Sequence, residues 1–211
     1  MPRANSSKLI LLFAPGAGAS SASSWMQAWS ARLSRIAFVS SFDYEYMRSG
    51  RRRPDPLPRL IETHRQAFHA IRQAQSGPIA LAGKSMGSRI GCHVALSEKV
   101  EALVCFGYPL RAAGSGKLRD QVLLELTTPI LFVQGTRDPL CPLPLLEAVR
   151  RNMSCRNELY VVEDGDHSLN ATQRSLSSRA TTQAEVDEQI LRSVRGFLAY
   201  QEDAAQPSGP G

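Results

Sequence analysis

The sequence predicts an α/β fold of about six mainly parallel strands flanked by helices, on three observations. Six short apolar, β-branched-rich runs recur along the chain, longer segments of helical period separate them, and Gly, Pro, Ser or Asp marks each junction. Such an alternation of strand-like and helix-like segments is the pattern of a parallel sheet with its helices packed on the faces.

The first strand is read in "KLILLFA" (8–14). The following ones are read in "IAFVSSF" (36–42), "PIALAG" (78–83), "VEALVCFG" (100–107), "PILFVQG" (129–135) and "ELYVVED" (158–164). Several are nearly continuous in apolar residues, as strands buried on both faces are. The clearest helix runs from Leu57 to Gln75, where Leu57, Leu60, Ile61, His64, Phe68 and Ile71 fall on one face. His64 and His69 belong to it and are read as packing or partly solvated polar contacts. A further helix follows Gly87 and carries His93. Near the C-terminus Thr182 and Glu185 form a capping-box pair, and Val186, Ile190, Val194 and Phe197 give the apolar stripe of a closing helix. The stretch "QEDAAQPSGPG" (201–211) is expected to be a disordered tail, leaving residues 1–200 as a single domain. Long loops at 44–58, 108–120 and 167–180 are where a substrate cleft is expected.

Composition narrows the class. With 43% hydrophobic and 21% charged residues the chain is an ordinary globular one, and its longest apolar run, Leu9 to Pro15, is far short of a bilayer span. The N-terminal segment lacks a separate apolar stretch and cleavage site, so an intracellular protein is expected, cytoplasmic first and nuclear second. Cys92, Cys105, Cys141 and Cys155 have no zinc-like spacing, so reduced, buried thiols are expected, with no metal and no cofactor. The net charge of +6 is concentrated partly in "RSGRRRPDP" (48–56). No aromatic residue interleaves that run and no nucleic-acid motif accompanies it, so it is read as a solvated loop rather than a nucleic-acid site. For Arg51 to Arg53 and Lys117, surface solvation is likewise preferred over binding an anionic substrate group.

The chemistry is concentrated in "IALAGKSMGSRIG" (79–91), which sets Ser85 between two glycines, directly after an apolar run and directly before a helical segment. A serine at the apex of a tight strand-to-helix turn adopts strained backbone angles, and glycine at 83 and 87 removes the β-carbons that would collide. In an open parallel sheet ligands bind outside the carboxyl ends of the strands, so partner groups are expected just after other strands. Asp138 follows one in "GTRDPLCP" and His167 another in "GDHS". The chain order Ser85, Asp138, His167 is that of nucleophile, acid and base in α/β-hydrolases. A neutral hydroxyl is a poor nucleophile, so His167 is the candidate base and Asp138 the carboxylate that orients it. Asp43, Asp164 and Asp166 are alternative acids. The oxyanion donors are read as the N–H of Met86 and of Ala17, with Gly16 or Gly18 close behind. A rival reading takes "GAGASS" as a dinucleotide fingerprint with Asp43 as ribose partner, but Ser21 stands where its third glycine belongs.

The stretches "FAPGAGASS…W", "GKSMGSR", "GYPL", "KLRD", "LFVQGTRDPLCP" and "GDHS" resemble the α/β-hydrolase superfamily. In detail they resemble a small family that includes the hydrolase-like domain of the third regulatory subunit of the NSL histone acetyltransferase complex. The resemblance implies a minimal α/β-hydrolase without a lid domain, whose first strand corresponds to the third of the full eight-stranded fold. It also implies that Ser85, Asp138 and His167 are a catalytic triad. Many relatives carry His-Gly where this chain has Pro15-Gly16, so a side chain that often braces the oxyanion loop is missing. The expected function is a serine hydrolase acting on a small ester, or less favoured a thioester or amide. The alternative, from the family branch that serves a chromatin complex, is a protein-interaction subunit with a complex partner.

Overall fold

The computed structural model describes residues 8–204. All six expected strands form: β1 (Ile10–Ala14), β2 (Phe38–Ser41), β3 (Ile79–Lys84), β4 (Leu103–Phe106), β5 (Ile130–Gly135) and β6 (Asn157–Val162). They make one sheet in the order β2-β1-β3-β4-β5-β6, every neighbouring pair parallel. The helices between and after them are α1 (Ser24–Leu33), α2 (Glu45–Arg48), α3 (Leu57–Ala74), α4 (Met86–Ala95), α5 (Gln121–Leu124), α6 (Leu143–Arg150), α7 (Gln173–Ser178) and α8 (Gln183–Ala204). No connection among the described residues holds an inserted lid domain.

Alternation along each inner strand sends successive side chains to opposite faces. On one face Leu11, Phe13, Val104 and Phe106 pack against Trp29 and Leu33 of α1 and Ile190, Val194 and Phe197 of α8. On the other, Ile10, Leu12, Leu81, Cys105 and Phe132 pack against Phe68 of α3, Cys92 and Val94 of α4, and Leu146 of α6. Fully burying each of these large side chains contributes about 1.5–3 kcal/mol, so the two layers hold the sheet between them. The inner strands β1, β3, β4 and β5 are buried throughout, whereas the edges β2 and β6 are partly open. All four cysteines are buried thiols.

Several boundaries differ from expectation. Strand β2 starts later because the N–H groups of Ile36 and Ala37 still bond Leu33 O at the end of α1. Two of the three long loops contain short helices, α2 and α7, the latter capped by Thr172 Oγ1 accepting from Ser175 N at 3.2 Å. Helix α8 opens on the expected capping box, with Thr182 N donating to Glu185 Oε2 at 2.8 Å and Glu185 N to Thr182 Oγ1 at 3.2 Å. It continues to Ala204, four residues into the stretch expected to be a tail, because no glycine or proline stands between Gly196 and Pro207. The rest of that stretch, 205–211, lies outside the described residues. Among the described residues no helix is long and apolar enough to cross a membrane.

The topology determines where a site can be. The chain runs outward from β1 to β2 and then crosses back to β3 on the other side of β1, so the progression reverses between β1 and β3. At such a switch point the connections leave the carboxyl ends of the two strands in opposite directions and open a crevice.

Candidate active site

Five chain segments meet at the carboxyl edge of the sheet: those following β1, β3, β4, β5 and β6. Ser85 lies at the turn from β3 into α4, with φ 49° and ψ −113°. It is one of four described residues other than glycine with positive φ. The turn closes because its neighbours lack side chains. A Cβ on Gly83 would lie 2.3 Å from Ser88 N, and one on Gly87 would lie 2.5 Å from Ala14 O and 2.6 Å from Pro15 O. These contacts are with backbone, which has nowhere to move, so both positions admit glycine alone.

His167 reaches this turn from the loop after β6. Its Nε2 is 2.8 Å from Ser85 Oγ, and its Nδ1 is 2.7 Å from Asp138 Oδ2. The carboxylate only accepts hydrogen bonds, so Nδ1 carries the proton and Nε2 presents its lone pair to the serine hydroxyl. Asp138 is buried, with a side chain wholly out of solvent. Its charge is met by three donors: His167, the Gln134 side-chain amide on Oδ2, and Leu140 N on Oδ1 at 2.8 Å. The acid and base loops are tied to each other by Arg137 N donating to Gly165 O at 2.9 Å and Asp164 N to Thr136 Oγ1 at 2.8 Å.

The other acids have different work. Asp166 Oδ1 accepts from Ser168 N at 2.7 Å and Asn170 N at 3.0 Å, folding the histidine loop. Asp43 Oδ1 accepts from Ser21 N at 2.7 Å, so it braces the loop after β1. That loop does not suit a dinucleotide: α1 begins only at Ser24, so Gly16 and Gly18 do not open a helix whose N-terminus would face a pyrophosphate. The remaining histidines lie away from the chemistry. His64 is buried on α3 with Nδ1 3.1 Å from Tyr44 OH, and burial pulls its pKa down to about 3, so it is neutral. His69 pairs with Glu98 at 2.8 Å, and His93 sits half-buried on α4. In the basic loop Arg48 and Arg51 to Arg53 are exposed, and Arg51 pairs with Asp55 at 2.7 Å.

Met86 is the first residue of α4, so its N–H is one of those a helix leaves without an internal acceptor. Ala17 packs against the cluster that holds Met86 and lines a cavity of about 300 Å³ formed by Gly16, Ala17, Trp25, Met26, Ser85 and His167, among others. The loop that carries Ala17 is braced despite Pro15: Tyr46 OH donates to Ala17 O at 2.9 Å. Burial pushes that phenol up to about 12, so it remains a donor at any working pH.

The sequence reading singled out every member of the Ser85–His167–Asp138 relay but missed Tyr46, Gln134 and Lys84. Gln134 and Lys84 carried a signal: each is a polar residue at the end of an otherwise apolar, buried strand. Tyr46 had none, because its role depends on α2, which folds only in the tertiary context. Among the described residues no group of three or more His, Cys, Asp or Glu is placed to hold a metal ion.

A family model described as the alpha/beta hydrolase domain matches residues 7–195, and the chain belongs to that family. Among solved structures it is similar to an α/β serine hydrolase homologue from Coxiella burnetii, 19% identical with a TM-score of 0.67, over 93% of this chain and 86% of that one. It is similar to Est1E from Butyrivibrio proteoclasticus, 16% identical with a TM-score of 0.68, over 96% and 92% of the two chains. A third likeness is to an α/β serine hydrolase from Xanthomonas campestris described as having no lid, 15% identical with a TM-score of 0.65, over 100% and 88%. At these identities the likeness is one of fold.

Proposed function

We propose that the protein is a serine hydrolase of small esters, working through an acyl-enzyme on Ser85, with His167 as general base and acid and Asp138 as the orienting carboxylate. The observation that carries this reading is the continuous relay of 2.8 and 2.7 Å from Ser85 Oγ through the imidazole to the buried carboxylate. Its support comes also from the strained turn that presents the hydroxyl above the sheet edge.

The steps balance on these atoms. Ser85 Oγ adds to the ester carbonyl carbon as its proton passes to His167 Nε2. The carbonyl oxygen becomes an oxyanion facing the Met86 and Ala17 N–H groups. Collapse breaks the bond to the alcohol oxygen, which leaves with the proton from Nε2. Water then gives a proton to Nε2 and adds to the acyl carbon, and the second collapse returns the proton to Ser85 and releases the acid. Asp138 stabilises the imidazolium in each half-reaction without taking the proton. The cavity beside Ser85, about 300 Å³ and walled by Trp25, Met26 and Ala17, suits a small acyl group.

On "GKSMGSR" and "GYPL…KLRD" we also group the chain with the small family named above, as a single domain over residues 1–200. The test is turnover of p-nitrophenyl acetate by wild type beside Ser85→Ala. Hydrolysis is expected to fall to the level of free imidazole in the variant. Equal turnover by both proteins overturns the reading, and a folded wild-type protein that turns over no ester and takes no fluorophosphonate favours an interaction subunit instead.

A further inference from the structure

Lys84 ends β3, immediately before the nucleophile, and its side chain is buried in spite of its charge. Its Nζ donates to the backbone carbonyl of His167 and lies 5.2 Å from the centre of the Trp25 ring. The same indole donates from Nε1 to the next carbonyl, Ser168 O, at 2.9 Å. Two consecutive carbonyls of the histidine loop are therefore held by two side chains that pack on each other. Gly107, at φ 62°, makes the room: a Cβ there would lie 2.7 Å from His167 O, 3.2 Å from Lys84 Nζ and 3.4 Å from His167 Nδ1. The ammonium and the imidazole thus share the space that the missing side chain leaves.

Burying an ammonium is costly unless it is partnered, and among the described residues Lys84 makes no ion pair. A methionine would fill the same volume without that cost. The charge therefore has a role in what it binds, and what it binds is the backbone that carries the base.

We propose that Lys84 is a positioning residue for His167: its ammonium, stacked on Trp25, holds the His167 carbonyl and so sets the imidazole against Ser85 Oγ. This rests on the reading of Ser85 and His167 as nucleophile and base. The groups facing Lys84 are Asp138 from the loop after β5, Asp166 and His167 from the loop after β6, and Trp25 from α1. Burial pulls Lys84 down to about 8, against Asp138 and Asp166, which favour its charged form. Below that pH the hydrogen bond to the carbonyl is charge-assisted; above it the neutral amine holds more weakly.

The experiment measures the rate of fluorophosphonate inactivation from pH 6 to 10 for wild type, Lys84→Met and Lys84→Arg, with Ser85→Ala as the control, and records low-field proton NMR of each. In Lys84→Met the rate is expected to be about 10- to 100-fold lower at pH 7, the scale of a misplacement near 1 Å, with KM for p-nitrophenyl acetate unchanged. Wild type is expected to lose rate as pH rises through about 8. Lys84→Arg, whose guanidinium stays charged, is expected to recover rate and to lack that decline. The low-field resonance of the His167–Asp138 proton is expected in wild type and Lys84→Arg and absent in Lys84→Met. A Met variant with wild-type rates and an unchanged resonance overturns the role of Lys84, while the loss of labelling in Ser85→Ala leaves the nucleophile in place. A wild type that takes no probe, with a resonance that Lys84→Met abolishes, has the opposite meaning: the nucleophile reading fails and the hold on His167 stands.

Discussion

Replacing Ser85 by glycine is expected to give a more stable protein than replacing it by alanine, although both changes remove the hydroxyl. At φ 49° and ψ −113° Ser85 occupies a region that residues bearing a Cβ rarely enter. A residue held there costs about 1–3 kcal/mol. Alanine keeps the Cβ and with it the cost, whereas glycine takes the conformation freely. Against this stands the greater freedom of glycine in the unfolded chain, about 0.5–1 kcal/mol. Loss of the hydrogen bond to His167 is common to both variants and cancels. The net difference is about 1 kcal/mol in favour of Ser85→Gly, which for a chain of this size is about 2–4 °C in Tm. Thermal unfolding of the two variants in one buffer, followed by circular dichroism, measures it. If Ser85→Gly melts at or below Ser85→Ala, the elbow does not hold its serine under strain.

Other consequences follow from the same contacts. Asp138→Asn leaves the carboxylate's three donors facing an amide and removes the group that fixes the imidazole proton on Nδ1. Fluorophosphonate inactivation is expected to slow by about 10⁴-fold in a protein that still unfolds cooperatively, and a loss under tenfold would count against Asp138 as the acid. Tyr46→Phe removes the donor to Ala17 O; kcat for p-nitrophenyl acetate is expected to fall about fivefold, the worth of one hydrogen bond of about 1 kcal/mol, with KM unchanged. His64 is buried with a pKa lowered to about 3 from 6.5, so between those values the unfolded chain binds the proton and the folded one does not. Stability is therefore complete above about pH 6.5 and declines as pH falls. From pH 7 to pH 5 the loss is about 2 kcal/mol, read from urea midpoints, and His64→Gln is expected to abolish this part of the slope.

The fold was legible wherever burial left a periodic trace. Strands β1, β3, β4 and β5 are covered on both faces, and their continuous apolar runs announced it. The closing helix declared itself through Thr182 and Glu185, because a capping box is a local exchange of hydrogen bonds that needs no distant partner. Helices α2 and α7 left no such trace: at four and six residues they are too short to stand alone, and α2 is held by Tyr44 and Tyr46 packing against Leu60, Met86 and Ile90.

Much the same division runs through the site. Ser85, Asp138 and His167 were legible because each follows a strand and their order along the chain is informative. Sequence alone left Asp164 and Asp166 open as alternatives to Asp138, since both also follow a strand and lie next to the histidine. The register of β5 on β6 decides between them, by setting the acid loop directly beside the base loop. Lys84, Trp25 and Tyr46 act on partners 83, 143 and 29 residues away, across contacts that only the assembled sheet creates.

If Ser85 is a nucleophile armed by His167, it reacts covalently with an electrophilic phosphorus. The most direct measurement is peptide mapping by mass spectrometry of the native protein after fluorophosphonate treatment. A single adduct is expected, on Ser85, formed at a rate that His167→Ala reduces by orders of magnitude and absent from Ser85→Ala. An adduct on another residue, or a folded protein that takes none, would contradict it.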